Sequence, residues 1–195
     1  MKINNALLVI ITIFSSTLLF GQMNDSIKKS IMEKFKTKSM FKETIYEFKG
    51  KELPYFELTL LNGKKINSES LKGKPTLINF WFINCRYCIE EIPFLNELKT
   101  QFKDEVNFLS ITFQDEKEVT EFLNYNKFNF EHIVDSKQYL TNFGQFGYPK
   151  TLIMDKNLII RDIKKKLPND TDTMDGGEIF KTKVSNLLLD LKNVR

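Results

Sequence analysis

Asn79-Phe80-Trp81-Phe82-Ile83-Asn84-Cys85-Arg86-Tyr87-Cys88 carries the deciding pattern: an apolar run ends, and two cysteines follow in C-x-x-C spacing. Pro75 to Phe82 is near-continuously apolar, as a strand buried on both faces requires. Just beyond, Glu90 to Phe102 places Ile92, Leu95, Leu98 and Phe102 on one face and reads as a helix. The cysteines therefore sit where a buried strand gives way to a helix. That junction supplies unpaired backbone N–H groups and the positive end of the helix dipole. The thiolate is the attacking form of cysteine, and a free thiol with a pKa of about 8.5 is mostly protonated at neutral pH. Cys85 at the junction is the candidate nucleophile. Cys88, one helical turn on, faces inward within reach of the Cys85 sulfur and is the candidate resolving thiol. The alternative is a buried structural disulfide, disfavoured because so short a loop removes little chain entropy.

These are the only cysteines among 195 residues, and His132 is the only histidine. A structural zinc site needs about four Cys or His ligands, so no metal is expected. Haem attachment needs C-x-x-C-H, and Ile89 follows Cys88 instead. No cofactor is expected. The chain carries 29 basic and 25 acidic residues, a net charge of +4 spread as Lys next to Glu and Asp. With no basic stripe interleaved with base-stacking aromatics, nucleic acid is not an expected partner. A content of 42% hydrophobic residues, including 18 Phe, suffices for one substantial core.

Residues 1–21 read as an export signal outside the fold. Lys2 gives a weak basic start, Ala6 to Phe20 is an uncharged apolar run, and Gly21 offers a small residue at the cut. The run is short for a membrane span of about 20 residues, so cleavage is favoured over an uncleaved anchor. Residues 22–50 are Lys-rich. Ile27, Ile31 and Phe35 recur every four residues, so this segment is either a linker or a short helix over Asp25 to Lys38. The folded domain is expected over 51–195.

Within it, Phe56, Leu58 and Leu60 alternate with polar neighbours before Asn62-Gly63, which predicts a hairpin. Strands are expected over Val106 to Phe113, near His132 to Val134, over Thr151 to Met154 and over Leu158 to Ile163. Helical patterns fall over Lys117 to Phe128, Gln138 to Phe143 and the stripe from Ile179 to Leu191. Strands alternating with helices, closed by a late hairpin, predict an α/β fold: a mixed central sheet with helices on both faces.

From Pro54 to about Asp162 the chain resembles the TlpA/ResA-like family of exported thioredoxin-like disulfide reductases. The resemblance rests on the leading hairpin, the Leu71-Lys72-Gly73-Lys74 step, Asn79-Phe80-Trp81, the C-x-x-C, and Glu91-Ile92-Pro93 after it. It implies a thioredoxin fold with an N-terminal β-hairpin extension. It also implies that Pro149 is cis, that Tyr148 and Pro149 face the cysteines, and that the backbone before the proline pairs with an extended substrate. An ordinary surface turn is the alternative. Cytoplasmic thioredoxins carry a buried aspartate six residues before the first cysteine, where this chain has Asn79. Glu91 is then the candidate acid/base for Cys88, since a carboxyl buried there has a raised pKa. The rival account is a Glu favoured by the helix dipole. Glu90 is expected to face solvent. Trp81 reads as core support more than substrate contact. Asn84 stands where thioredoxins usually place a second Trp. Arg86-Tyr87 fills the intervening pair, where the second position is often Pro; both are candidate substrate-binding or support residues, and Arg86 is expected to stabilise the Cys85 thiolate and so make the protein more oxidising.

The function expected is an extracytoplasmic thiol–disulfide oxidoreductase acting as a monomer. It would reduce disulfides of exported proteins, conceivably apocytochromes c, with electrons from a membrane-bound donor. A disulfide oxidase or isomerase, and a redox-inert binding module on the same fold, are the alternatives. A peroxidase is disfavoured, because Ile83-Asn84 precedes Cys85 where a Thr-x-x motif is required.

Overall fold

Alternation along one strand decides how the molecule is layered. In β3 (Thr76–Phe80) every residue is buried. Leu77 and the following Trp81 join one apolar cluster, while Ile78 and Phe80 join the other. The strand is therefore the centre of a sheet covered on both faces. The structure is a computed structural model that describes residues 25–38, 42–169 and 175–193. The export-signal reading of residues 1–21 lies outside the described residues.

Two units are present. The first, Met1–Lys42, contains helix α1 (Asp25–Lys38), the range read from the four-residue apolar spacing. The second, Glu43–Arg195, is the folded domain. A short antiparallel hairpin, β1 (Glu57–Thr59) and β2 (Lys65–Asn67), opens it, turning at Asn62-Gly63. The main sheet has five strands in the order β5-β4-β3-β6-β7. Strands β4 (Asn107–Ile111) and β5 (Glu131–Ile133) extend it parallel to β3, and β6 (Lys150–Met154) and β7 (Ile160–Lys164) extend it as an antiparallel pair. The β6–β7 turn is tied by Asp155, whose Oδ1 accepts the Asn157 and Ile159 N–H groups at 2.9 and 3.0 Å.

One face is covered by three helices: α2 (Arg86–Phe102), α3 (Glu116–Leu123) and α5 (Gly176–Asn193). Leu95, Leu98 and Phe102 of α2, Val119 and Phe122 of α3, and Phe180, Val184 and Leu188 of α5 pack with Leu77, Trp81 and Ile153 of the sheet layer. Helix α2 starts at Arg86, earlier than the Glu90 read from the apolar stripe, because its first turn carries the cysteines rather than apolar residues. Helix α3 ends at Leu123, short of the expected Phe128, and Phe128 joins the core from the loop beyond it.

The other face carries less helix than expected. Its cover is α4 (Lys137–Leu140) with a 3-10 turn at Thr141–Phe143, the hairpin residue Leu60, and a second 3-10 turn at Thr44–Phe48. That last turn moves the domain boundary. The sequence reading begins the fold at residue 51, but Ile45 is fully buried and the Phe48 ring meets Phe143 at 4.9 Å. The spacing of apolar residues between Thr44 and Phe48 is too brief to register as a periodic pattern, so the Lys-rich context dominates the reading.

Replacing Ile45 with Ala tests this boundary. Deleting a buried isoleucine side chain costs about 2–5 kcal/mol, read as a lowered urea midpoint with unchanged slope. An unchanged midpoint would place residues 43–48 outside the cooperative unit.

Candidate functional site

The cysteines stand where strand β3 has run out and α2 begins. Cys85 is the N-cap of α2 in an extended conformation, and its Sγ accepts the Cys88 N–H at 3.2 Å. This is the bond a serine or aspartate cap makes with the orphan donors of a first helical turn, with sulfur as the acceptor. A full negative charge on that sulfur would be better held than the neutral thiol, by the same N–H and by the dipole. Cys85 and Cys88 are joined in a disulfide, and both are buried in the helical-face core.

Glu91 lies one turn beyond Cys88 and is fully buried. Its Oε2 accepts a long bond from Asn79 Nδ2 at 3.4 Å, and Asn79 is held in turn by Thr151 Oγ1 at 3.0 Å. Its Oε1 has no hydrogen-bond partner among the described residues. Burial is the dominant cause that pushes the Glu91 carboxyl up to about 8, against the weaker opposing pull of the Asn79 bond and the Lys150 charge. A carboxyl in this state exchanges protons near neutrality, and its free oxygen is open to a donor. Glu90, by contrast, is exposed.

Trp81 is fully buried, donates its indole N–H to Ser110 Oγ at 3.1 Å, and packs against Phe122 and Phe128. It backs the site from within the core. Ser110 Oγ lies 2.6 Å from His132 Nδ1, whose Nε2 lies 2.9 Å from the Phe128 carbonyl. A neutral ring with the proton on Nε2 satisfies all of these bonds at once. Burial holds this histidine down at about 4.

The Tyr148–Pro149 peptide bond is cis. Because Phe80 pairs with Lys150 in the antiparallel register of β3 and β6, this loop emerges at the same sheet end as the cysteines. Tyr148 packs against the core cluster that contains Cys85 and Cys88. Its ring meets Phe82 at 5.4 Å and Phe113 at 6.1 Å. Tyr87 is exposed, with Lys166 Nζ 4.5 Å from its ring centre. Arg86 is not placed as expected. Its side chain is 85% exposed and its Nε pairs with Glu90 Oε1 at 2.8 Å, one turn along the helix. Its charge is engaged by a carboxylate in water rather than by sulfur.

Three residues beside the site escaped sequence reading. Phe82 and Phe113, which residue type alone assigns to the core, flank Tyr148, and Phe113 is exposed. Lys150 carries a signal of its own: a lysine directly before the apolar run Leu152-Ile153-Met154, in a strand buried along its whole length.

With this geometry established, comparison with known proteins is direct. The profile of the AhpC/TSA family matches residues 49–163. The chain belongs to the AhpC/TSA family. Among individual members, the thioredoxin-like protein YneN of Bacillus subtilis (strain 168) is 30% identical over 118 residues, covering 58% of this chain and 69% of its own length. The thiol-disulfide oxidoreductase ResA of Bacillus thuringiensis (strain Al Hakam) is 33% identical over 111 residues. That alignment covers 55% of this chain and 64% of ResA, a little under two thirds. Among solved structures, the thioredoxin domain of a thiol-disulfide oxidoreductase from Bacteroides vulgatus matches with a TM-score of 0.60 at 19% identity, over 74% of this chain and 98% of that one. A secreted disulfide oxidoreductase of Mycobacterium tuberculosis matches at 0.55 and 21% identity, over 70% and 96%. The fold of this AhpC/TSA member is thus thioredoxin-like, with the β1–β2 hairpin added at its N-terminal side.

The two shifted groups set opposite pH dependences. Glu91 titrates above its unfolded value of 4.5, so its stabilisation is complete below 4.5 and is lost as pH rises through about 8. His132 titrates below its unfolded value of 6.5, so its contribution is complete above 6.5 and is lost as pH falls through about 4. Of the two, only Glu91 acts between pH 6.5 and 8. Urea unfolding of the oxidised protein should show stability falling across that window, and Glu91→Gln should flatten the fall. An equal slope in the variant would contradict a buried, protonated Glu91.

Proposed function

We propose that this protein is a thiol–disulfide oxidoreductase that reduces disulfides of exported proteins. The observation that carries the reading is the position of Cys85 Sγ, capping the first turn of α2 and accepting the Cys88 N–H. In the reduced protein the Cys85 thiolate attacks one sulfur of a substrate disulfide. A mixed disulfide forms between Cys85 and that sulfur, and the other substrate sulfur leaves as a thiolate that takes up a proton. Cys88 then gives its proton to the ionised form of Glu91, a form that a carboxyl titrating near 8 populates around neutrality, and attacks Cys85 Sγ. The substrate sulfur held by Cys85 departs as a thiolate and takes up the proton that Glu91 accepted, and the Cys85–Cys88 disulfide remains. Two electrons pass from protein to substrate.

The cis loop supports the substrate side of this reading. Tyr148 and Pro149 sit at the sheet end of the cysteines, where the Tyr148 backbone would pair with an extended segment. Phe82 and Phe113 offer apolar contact in place of the tryptophan that Asn84 replaces. Tyr87 and Arg86 lie on the exposed turn between the cysteines, and Trp81 supports that turn from beneath.

Export is supported by the pattern of residues 1–21, read as a cleaved signal ahead of a linker and the domain. Among the described residues no helix is long and apolar enough to cross a membrane. In an oxidising compartment the dithiol must be re-reduced, which calls for a membrane-bound electron donor. Oxidised exported proteins, apocytochromes c among them, are the substrates in view, and the chain acts as a monomer.

Trapping tests the assignment. With Cys88→Ser, the mixed disulfide with an oxidised substrate protein should accumulate and be visible on a non-reducing gel. Cys85→Ser should abolish both exchange and trapping. Exchange persisting in Cys85→Ser, or substrate capture without any exchange in the unaltered protein, would replace the enzyme with a binding module.

A further inference from the structure

The loop that faces the dithiol is held by Lys150 together with Glu43, which precedes the residues 49–163 that match the family. Lys150, the first residue of β6, is 3% exposed. Its Nζ donates to the Gly147 carbonyl at 2.5 Å and to the Pro149 carbonyl at 3.3 Å, and pairs with Glu43 Oε1 at 3.1 Å. An ammonium has three N–H donors, and these three oxygens match that number. Glu43 Oε1 also accepts the Gly147 N–H at 2.6 Å. Glu43 and Lys150 therefore hold both backbone polar groups of Gly147, and Lys150 reaches the carbonyl of the cis proline.

The next residue continues the attachment. The Thr44 N–H donates to the Gln145 carbonyl at 3.1 Å, and the Thr44 hydroxyl donates to the Phe143 carbonyl at 2.9 Å and accepts the Gln145 N–H at 3.1 Å. Gly144 makes the approach possible: at φ +69°, a Cβ there would lie 2.2 Å from Thr44 Oγ1. Residues 143–150 are thus laced to residues 43–44, and the one buried cation in the lacing sits next to Pro149. A buried charge is tolerated only when its partners are complete, and removing one partner leaves the other exposed to the full desolvation cost. The arrangement fixes the loop more firmly than a neutral turn would.

We propose that Glu43 and Lys150 are positioning residues for exchange, fixing the Gly147–Pro149 segment so that the Tyr148 backbone is presented to a peptide substrate. The inference rests on the oxidoreductase reading above. Glu43 takes no part in the chemistry at sulfur, and Lys150 touches it only through the weak pull of its charge on Glu91. The positioning effect of the pair is confined to substrates with a backbone to align.

The test uses the reduced full-length protein in single turnover against two probes. One is an extended peptide dimer joined by a single disulfide. The other is hydroxyethyl disulfide, which has no peptide backbone. Each takes two electrons from the dithiol and yields two thiols. Glu43→Ala should slow reaction with the peptide about tenfold, the scale of one lost charge-assisted hydrogen bond. The rate with hydroxyethyl disulfide should stay within about twofold of the unaltered protein. Glu43→Gln, which keeps the acceptor for Gly147 N–H, should recover most of the peptide rate. Lys150→Met should slow the peptide about tenfold more than hydroxyethyl disulfide, any loss shared by both probes being the effect of its lost charge on Glu91, and thermal melts identify any variant that is unfolded. Equal losses on both probes, or peptide rates matching the unaltered protein in both folded variants, would overturn the inference and leave the oxidoreductase reading standing. No reaction of the unaltered protein with either probe would overturn that reading and this inference together.

Discussion

A helix that begins where a buried strand ends has N–H groups to satisfy and only the residue at the junction to satisfy them. Here that residue is a cysteine. The Cys88 N–H donated to Cys85 Sγ is at once the cap that starts α2 and the feature that favours a charged sulfur. The rest of the structure serves that junction. Strand β3 lies at the centre of the sheet, buried along its whole length, so its end is a rigid platform. Trp81 fills the space beneath, and the partner strand β6 brings its cis-proline entry to the same end.

In the proposed reaction, burial supplies the second half of the chemistry. Glu91 is enclosed with one oxygen unpartnered, and the group that holds its other oxygen is the neutral Asn79 amide. A charged partner there would pull the carboxyl back to its ordinary range. The neutral amide leaves burial in control, and the carboxyl exchanges its proton near neutrality. Arg86 shows the opposite arrangement. It is exposed and paired with Glu90, so its charge is screened by water and by a carboxylate. With Arg86 engaged by Glu90, the helix terminus is what stabilises the Cys85 thiolate, and losing the pull of that cation on sulfur makes the couple less oxidising.

Much of this was legible before any coordinates. The apolar run ending in C-x-x-C marks the central strand and the active helix, and the family resemblance carries Pro149 and Glu91. What escaped did so for physical reasons. Helix α2 begins with Arg86-Tyr87-Cys88, a turn without apolar periodicity. The Thr44–Phe48 turn is too short to show a pattern, and its membership of the core depends on the distant ring of Phe143. Lys150 is read as surface by residue type, yet Glu43, more than a hundred residues earlier, makes its burial tolerable. Arg86 misled because proximity in sequence to Cys85 suggested a contact, while helical spacing favours Glu90, four residues on.

The equilibrium reduction potential of the Cys85–Cys88 couple, titrated against thiol buffers, tests the central claim most directly. The account predicts a value nearer the roughly −270 mV of thioredoxin than the roughly −120 mV of the strong oxidant DsbA. A value at the oxidising end would contradict a reductase and make the protein a donor of disulfides.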